Sequence, residues 1–180
     1  MPSIKNLFQT VSDKGNPNIV ESEGPFLGRK NPWLGQGYYF WDNLIKRAHW
    51  WGDTHCHGQY MICQAYADID DDKYLDLVGN MEQLNDFEKS YNAINNTYGG
   101  KVKTISWVVA KLIRDNNFPY QAMRVRTDYC GGDEKKIQFV TWNAAAISFN
   151  PPVQICIYDK SRVKDYHIIY PEEYLMDGVV

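Results

Sequence analysis

The spacing of apolar residues changes along the chain, and this change constrains the fold more than any other feature. Between Met81 and Tyr98, apolar side chains recur at steps of three and four residues: Leu84, Phe87, Tyr91, Ile94 and Tyr98. This pattern predicts an amphipathic helix, which Gly99 and Gly100 would close. A second helix is predicted over residues 103–116. From Gln121 onward the pattern favours strands, so we expect an α+β domain.

Shorter patterns indicate the remaining elements. Strands are predicted over residues 7–11, 60–67, 73–77, 121–126, 136–142, 152–158 and 166–170, and a short strand or a turn over residues 38–41. A helix capped by Asp42 or Asn43 is predicted to run to Trp51, with Gly52 as its stop. Residues 13–36 are rich in Gly, Pro, Asn and Ser and predict a long loop. The length of 180 residues predicts a single domain over 1–180.

Composition excludes some classes of protein and partner. The net charge of −3 argues against broad non-specific binding to nucleic acid, although a local basic groove stays possible. No apolar run approaches the roughly 18 residues of a membrane span, so no membrane partner is expected. The N-terminal segment lacks the regions of a signal peptide, which predicts a cytoplasmic protein. Four irregularly spaced cysteines then predict free thiols.

The most informative stretch is a pair of glycines followed by four aromatic residues. It reads Trp33-Leu34-Gly35-Gln36-Gly37-Tyr38-Tyr39-Phe40-Trp41-Asp42, with Arg47-Ala48-His49-Trp50-Trp51 after it. Glycine permits a close approach of the backbone to a ligand, and aromatic rings can stack on nicotinamide or adenine. A tight turn that leads into an aromatic core is the alternative interpretation.

This stretch resembles a segment of a family of small bacterial proteins related to ADP-ribosyltransferase toxins, of the kind found in toxin–antitoxin and anti-phage modules. The matching residues are Trp33, Leu34, Gly35, Gly37, Tyr39, Phe40, Trp41, Arg47, Ala48 and Trp50. Asp42 stands where the family has Glu. A late strand of the family resembles residues 152–157 more weakly. The resemblance implies an ADP-ribosyltransferase-like split β-sandwich with flanking helices and with NAD in the cleft between the sheets.

The resemblance also implies three landmark positions. Gln9 matches the first-strand residue that holds the ribose or amide of NAD, where His is usual in the family. Tyr38 or Tyr39 matches the residue that supports nicotinamide, and Gln154 matches the late-strand residue that orients the ribose, where Glu is usual. Both glutamines are neutral amides that can bind but cannot act as a carboxylate base. We expect Gly37 and Trp41 to line the same NAD site.

Basic residues near the motif are candidates for binding the diphosphate of NAD. Arg29, Lys30 and Arg47 could neutralise its charge, since guanidinium groups pair well with phosphate oxygens. The alternative is a set of solvated surface charges. Catalysis would consist of holding NAD ready to ionise and stabilising the positive charge that develops on the ribose.

The acceptor of the ADP-ribose is expected to be a nucleic acid, RNA or DNA. Arg124 and Arg126, followed by Lys135 and Lys136, are the predicted acceptor-binding residues. Modification of a protein, hydrolysis of NAD, and a catalytically inactive binding module with the same fold are the alternatives. The family resemblance further implies a neutralising antitoxin protein.

No metal is expected. His55, Cys56 and His57 form one cluster of metal-ligand types, but no second pair at zinc spacing follows them. The acidic run over residues 68–72 lacks the glycine and the terminal Glu of a calcium loop. Both stretches are interpreted as polar turns.

Overall fold

A computed structural model describes residues 3–28, 30, 32–102, 104–127, 136–142 and 145–175. Its strands are β1 (Ser3–Ser12), β2 (Tyr38–Asp42), β3 (Tyr60–Asp68), β4 (Tyr74–Asp76), β5 (Ala122–Arg126), β6 (Lys136–Gln138), β7 (Ala146–Ser148), β8 (Val153–Ile157) and β9 (Val163–Tyr170). Its helices are α1 (Pro17–Glu23), α2 (Ile45–His55), α3 (Met81–Thr97) and α4 (Ile105–Arg114). A large mixed sheet with helices confirms the predicted α+β class.

Seven strands form one sheet in the order β4-β5-β8-β2-β1-β3-β9, and β6 pairs with β7 separately. β4 and β5 run parallel, whereas the other neighbours in the large sheet run antiparallel. The strand order places β8, which carries Gln154, beside β2, and β2 beside β1. The three strands of the landmark residues are therefore consecutive at the centre of the sheet.

The sheet splits between β1 and β2. These strands pair only where Leu7 faces Asp42 and Phe8 faces Trp41. Beyond that point β1 continues along β3, with Gln9 opposite Cys63 and Ser12 opposite Tyr60. β2 instead continues along β8, with Tyr38 opposite Ile157. The two strands thus diverge and leave a wedge-shaped opening in the middle of the sheet.

The two long helical patterns are confirmed. α3 begins after Asn80, whose side chain accepts hydrogen bonds from the backbone N–H groups of Glu82 and Gln83. α4 begins after Thr104, whose hydroxyl accepts one from Trp107. Strong periodicity and good N-caps act together here, which explains why the sequence alone was sufficient to predict both helices.

The prediction of an uninterrupted loop over 13–36 is wrong, because α1 lies within it. Tertiary contacts stabilise this short helix. Val20 is buried beside Met61 and Ile168, and the Glu21 carboxylate accepts a hydrogen bond from the backbone N–H of Ile168 at 2.9 Å. Neither contact has a local signal in the sequence.

The predicted limits of α2 are also wrong. The helix continues through Gly52 to His55, and its N-cap is Leu44 rather than Asp42 or Asn43. Gly52 serves packing: a Cβ atom there would lie 2.3 Å from the ring of Tyr60. The glycine therefore allows α2 to lie close against β3 rather than ending the helix.

The predicted strand over 136–142 ends early. β6 stops at Gln138, and residues 139–142 form a bend and a turn. The sequence did not predict β7. Ile137 and Ile147 face each other across this pair, and both are exposed. Since neither strand has a buried face, the alternation that reveals a half-buried strand is missing.

The core lies on both sides of the large sheet. One cluster surrounds Leu7, Phe40 and Ile155, and another joins Phe8 and Trp41 to Ala48 of α2. Cys56, Cys63 and Cys156 are thiols outside any disulfide, as the sequence predicted, and all three are buried. The prediction for Cys130 lies outside the described residues. Among the described helices, none has the length and apolar character that a membrane crossing requires.

Candidate functional site: a cavity at the split of the sheet

A cavity of about 1030 Å³ occupies the opening between β1 and β2. Gln9 to Ser12 line it from β1, Tyr39 to Trp41 from β2, and Gln154 from β8. Most of the remaining wall comes from helix α2 and from the segment between β1 and β2, and Thr127 adds to it after β5. The lining is rich in aromatic residues: Phe26, Trp33, Tyr39, Phe40, Trp41, Trp50 and Trp51. The volume lies at the upper end of the range of small-molecule and cofactor sites, about 300–1,000 Å³.

Gln9 spans the opening with its side-chain amide. Its Nε2 donates hydrogen bonds to the carbonyl oxygens of Phe26 at 2.9 Å and Tyr39 at 3.3 Å. Its Oε1 accepts from the backbone N–H of Phe26 and the hydroxyl of Tyr166, both at 2.9 Å. An amide has two donor hydrogens and two acceptor lone pairs, so this side chain is saturated. The structure thus makes Gln9 a positioning residue, not the ligand-holding group that the sequence suggested.

The segment held by Gln9 forms part of the cavity wall. Leu27 makes an isolated β-bridge with Tyr38, and the N–H of Gly28 donates to the carbonyl of Gly37 at 2.8 Å. The segment therefore lies against the open edge of β2. Phe26, Leu27 and Gly28 all line the cavity.

Gln154 presents its amide to the cavity from β8. It pairs in register with Trp41, and its neighbours Val153 and Ile155 are buried while it is only half-buried. The indole Nε1 of Trp33 donates a hydrogen bond to the Gln154 Oε1 at 3.0 Å. Because an indole N–H can only donate, this contact assigns the amide orientation. The Gln154 N–H donors then stay available to a ligand, since no described residue accepts from them.

Tyr39 is fixed by its hydroxyl. The hydroxyl donates to the carbonyl of Gly35 and accepts from the backbone N–H of Leu34, each at 2.8 Å. Burial raises the pKa of Tyr39 far above its usual value, so the group stays protonated. Tyr39 can therefore offer a ligand its ring but not a base.

Three tryptophans pack together at the cavity. The ring centroid of Trp41 lies 6.2 Å from that of Trp50 and 6.1 Å from that of Trp51. Trp50 and Trp51 are 6.2 Å apart, and His55 stacks on Trp51 at 3.8 Å. β2 supplies the first ring and α2 supplies the others. All four side chains line the cavity.

The charges of the described lining are positive. Lys14 and Lys30 are exposed and line the cavity, and none of the described lining residues is acidic. Such a lining favours an anionic ligand. Lys30 was among the residues proposed from the sequence for the diphosphate; Lys14 was not. Arg29 lies outside the described residues.

Two predicted NAD-binding residues of the aromatic motif, Gly37 and Tyr38, lie away from the cavity. Tyr38 packs on the opposite face, against the cluster around Leu7 and Phe40. Gly37 approaches β8 closely: a Cβ there would lie 2.5 Å from the Cys156 Sγ, so this glycine serves packing. Tyr38 and Tyr39 point to opposite faces of β2, and of the two it is Tyr39 that lines the cavity.

Arg47 is a structural cation rather than a phosphate ligand. It is 1% exposed, and its Nε donates to the Asn150 carbonyl at 2.9 Å. Its guanidinium carbon also lies 5.7 Å from the centre of the Trp50 ring. The side chain joins α2 to the segment before β8, and it does not line the cavity.

The predicted acceptor-binding arginines lie on the far face of the sheet. The Arg124 Nε donates to the Asp42 carboxylate at 2.7 Å, and its Nη1 lies 3.2 Å from the Asp76 carboxylate. Arg124 pairs in register with Ile155 and thus faces away from Gln154. Arg126, two residues on, shares that face and is exposed. The structure does not bring either arginine to the cavity. Lys136 lies on the separate β6, and Lys135 lies outside the described residues.

Sequence reasoning missed several contributors to the cavity. Trp33 was noted in the motif without its role as the partner of Gln154, which lies 121 residues away. Phe26 and Lys14 lie in the predicted loop and carried no motif. The only sequence signal for these two residues was that they lie in a long loop, because long loops in compact domains are often functional.

Metal ligation finds no support in the described part of the chain, where no three His, Cys, Asp or Glu side chains cluster to hold an ion. His55 stacks on Trp51, and Cys56 is buried with its Sγ 3.5 Å from the Ser12 hydroxyl. These two residues of the sequence cluster thus belong to the cavity wall.

Comparison of the chain with family models, with curated proteins and with solved structures finds no match. The case for a function therefore rests on the geometry of the cavity and on the motif residues that line it.

Proposed function

We propose that the protein is an ADP-ribosyltransferase that transfers ADP-ribose from NAD to a macromolecular acceptor. The observation that carries the proposal is the cavity at the split of the sheet. It brings Gln154, Tyr39 and Trp41 of the two resembling motifs, which are far apart in sequence, to one space. The split between β1 and β2 also supports an ADP-ribosyltransferase-like arrangement of the sheet.

The lining suits the parts of NAD. Aromatic rings can stack on nicotinamide and adenine, and each such pair contributes roughly 0.5–1.5 kcal/mol beyond area burial. Lys14 and Lys30 can pair with the diphosphate, and no described carboxylate opposes them. The volume of about 1030 Å³ is within the size that cofactor sites reach.

Several residues at the cavity would contribute to cleavage of the bond between nicotinamide and ribose. As nicotinamide leaves as a neutral molecule, positive charge develops on the ribose. The free N–H donors of Gln154 would hold the ribose hydroxyl oxygens and fix the sugar for attack. Tyr39 supplies a rigid ring beside them, and Gln9 positions the wall formed by Phe26.

The lining also bears on the acceptor. Because none of the described lining residues is acidic, the site offers no carboxylate to deprotonate a hydroxyl or an ammonium group. A base nitrogen of RNA or DNA already carries a lone pair, so a nucleic acid remains the acceptor we propose. With it we propose a cytoplasmic location and a neutralising antitoxin protein, as the family resemblance implies. Water, a protein arginine or a thiolate are the competing nucleophiles.

NAD at millimolar concentration is expected to raise the melting temperature by several degrees. A ligand at 100 times its Kd stabilises the native state by about 2.7 kcal/mol, and each kcal/mol shifts the melting temperature by about 2–4 °C at this size.

Replacing both Lys14 and Lys30 by alanine should weaken NAD binding about tenfold or more, since each substitution removes a charge-assisted contact. Lys101→Ala is the matched control, because Lys101 is exposed and does not line the cavity. No thermal shift with NAD would contradict the proposal.

A further inference from the structure

We infer that Tyr158 is a positioning residue for the proposed reaction: its hydroxyl holds the turn that carries Trp33, and through Trp33 it orients the Gln154 amide. This inference rests on the proposed function, because Gln154 must act on the ribose of NAD. Tyr158 does not line the cavity, so it can affect a ligand there only through other residues. Neither motif of the sequence includes it.

Tyr158 and Gln154 point to the same face of the sheet. Tyr158 directly follows β8 and lies four residues after Gln154, and successive side chains of a strand alternate between the two faces. Cys156 lies between them and pairs in register with Tyr39 of β2, just as Gln154 pairs with Trp41. The phenol of Tyr158, the aromatic motif of β2 and the Gln154 amide therefore share one surface.

The turn at Trp33 and Leu34 packs on this surface. Leu34 is fully buried, in one cluster with Tyr39 and Tyr158. A Cβ atom at the following Gly35 would lie 3.9 Å from the Tyr158 ring. Because the Leu34 backbone is out of contact with water and outside any strand or helix, its N–H and carbonyl groups need partners from side chains.

Two phenol hydroxyls satisfy the peptide groups of Leu34. The Tyr158 hydroxyl donates to the Leu34 carbonyl at 2.9 Å, and the Tyr39 hydroxyl accepts from the Leu34 N–H at 2.8 Å. Burial raises the pKa of Tyr158 far above its usual value, so the hydroxyl keeps the proton that it donates. The Met123 Sδ also lies 3.7 Å from this hydroxyl, but a thioether is a weak acceptor, and the carbonyl is the main partner.

The held peptide fixes the indole that precedes it. Trp33 is joined directly to Leu34, and its Nε1 donates to the Gln154 Oε1 at 3.0 Å. This contact turns the N–H donors of Gln154 toward a ligand. A hydrogen bond weakens steeply when its geometry is lost, so a shift of the turn would leave the Gln154 amide without a fixed orientation. Catalysis by an oriented donor depends on that geometry.

Tyr158→Phe is expected to lower the transfer rate about fivefold, as for the loss of one neutral hydrogen bond, with little change in the affinity for NAD. Phenylalanine keeps the ring that packs against Phe118 and leaves the cavity lining unchanged. In a Trp33→Phe background the link to Gln154 is already broken, so adding Tyr158→Phe should lower the rate no further. Tyr120→Phe is the matched control, since Tyr120 packs in the same cluster and does not line the cavity.

A second readout does not require NAD. The indole N–H resonance of Trp33, identified by its loss in the Trp33→Phe variant, reports the hydrogen bond to Gln154. We expect this resonance to shift in Tyr158→Phe and to keep its position in Tyr120→Phe. An unchanged resonance in Tyr158→Phe would mean that the phenol does not hold Trp33, and it would overturn the inference.

The rates separate this inference from the proposed function. If the wild-type protein transfers ADP-ribose and Tyr158→Phe transfers it at the same rate, the inference is wrong and the proposed function stands. Losses that multiply in the Trp33→Phe/Tyr158→Phe double variant would likewise show that Tyr158 acts by another route. If the wild-type protein leaves NAD intact, the proposed function fails, and the inference fails with it whatever the indole resonance shows.

Discussion

Replacing Gln154 with leucine is expected to lower the rate of ADP-ribosyl transfer by about 100-fold or more, with a much smaller effect on folding. Removing one preorganised donor at a site of developing charge costs about 10²–10³ in kcat. Gln154 is half-buried and lines the cavity, so leucine, which is somewhat smaller, fills most of its space without the amide. Initial rates of label transfer from NAD measure the effect on catalysis, and urea unfolding measures the effect on stability.

A second variant separates the two contacts of Gln154. Trp33→Phe removes the indole donor that binds the Gln154 Oε1 but keeps the amide itself. If Gln154 acts through its own N–H donors, Trp33→Phe should reduce transfer only a few-fold, through loss of orientation. Equal losses in the two variants would show that Gln154 merely anchors Trp33. If the Gln154→Leu variant transfers ADP-ribose at the wild-type rate, Gln154 has no part in the reaction.

Arg47→Met is expected to lower the free energy of unfolding by about 3 kcal/mol. Hydrogen bonds from a charged group contribute about 1.5–3 kcal/mol each, and the loss leaves the Asn150 carbonyl without this donor in a buried region. Methionine keeps much of the side-chain volume, so the cavity it leaves is small. Urea unfolding measures the change. Arg114→Met is the control, since Arg114 is largely exposed and should change stability by less than about 0.5 kcal/mol.

The same variant decides between two roles for Arg47. The resemblance suggested that this arginine binds the diphosphate of NAD, whereas the structure buries it against Asn150. The folded fraction of Arg47→Met should therefore bind NAD with nearly unchanged affinity. A stable variant with much weaker NAD binding would restore the role suggested by the sequence.

Local patterns predicted the elements that local forces determine. α3 and α4 combine periodic apolar faces with side-chain caps, and both lie where expected. α1 and the true end of α2 escaped prediction because distant packing determines them. Val20 is buried against two strands remote in sequence, and Gly52 meets the ring of Tyr60. A glycine selected for a close helix–strand contact resembles a helix stop when only its neighbours are known.

Part of the candidate site was predictable from the sequence motifs. The motif indicated Tyr39, Trp41 and Gln154, and all three line the cavity. It also indicated Gln9, whose four hydrogen bonds are made with Phe26, Tyr39 and Tyr166, which lie 17, 30 and 157 residues away. The sequence around Gln9 does not reveal that distant residues will use all the hydrogen-bonding groups of its side-chain amide. The ion pair between Arg124 and Asp42, which are 82 residues apart, also has no signal in the local sequence. The sequence therefore did not show that Arg124 lies away from the cavity.

The central claim is that NAD bound at the split of the sheet donates ADP-ribose to a nucleic acid. Its most direct test is to incubate the protein with NAD labelled in the adenine ring and with separated lysate RNA, DNA and protein, and to measure released nicotinamide and bound label together. We predict that nicotinamide is released and that the label enters material sensitive to nuclease and resistant to protease. Label in protease-sensitive material would contradict the acceptor, and free labelled ADP-ribose alone would indicate an NAD hydrolase. NAD left intact by folded protein would contradict the claim as a whole and favour an inactive binding module.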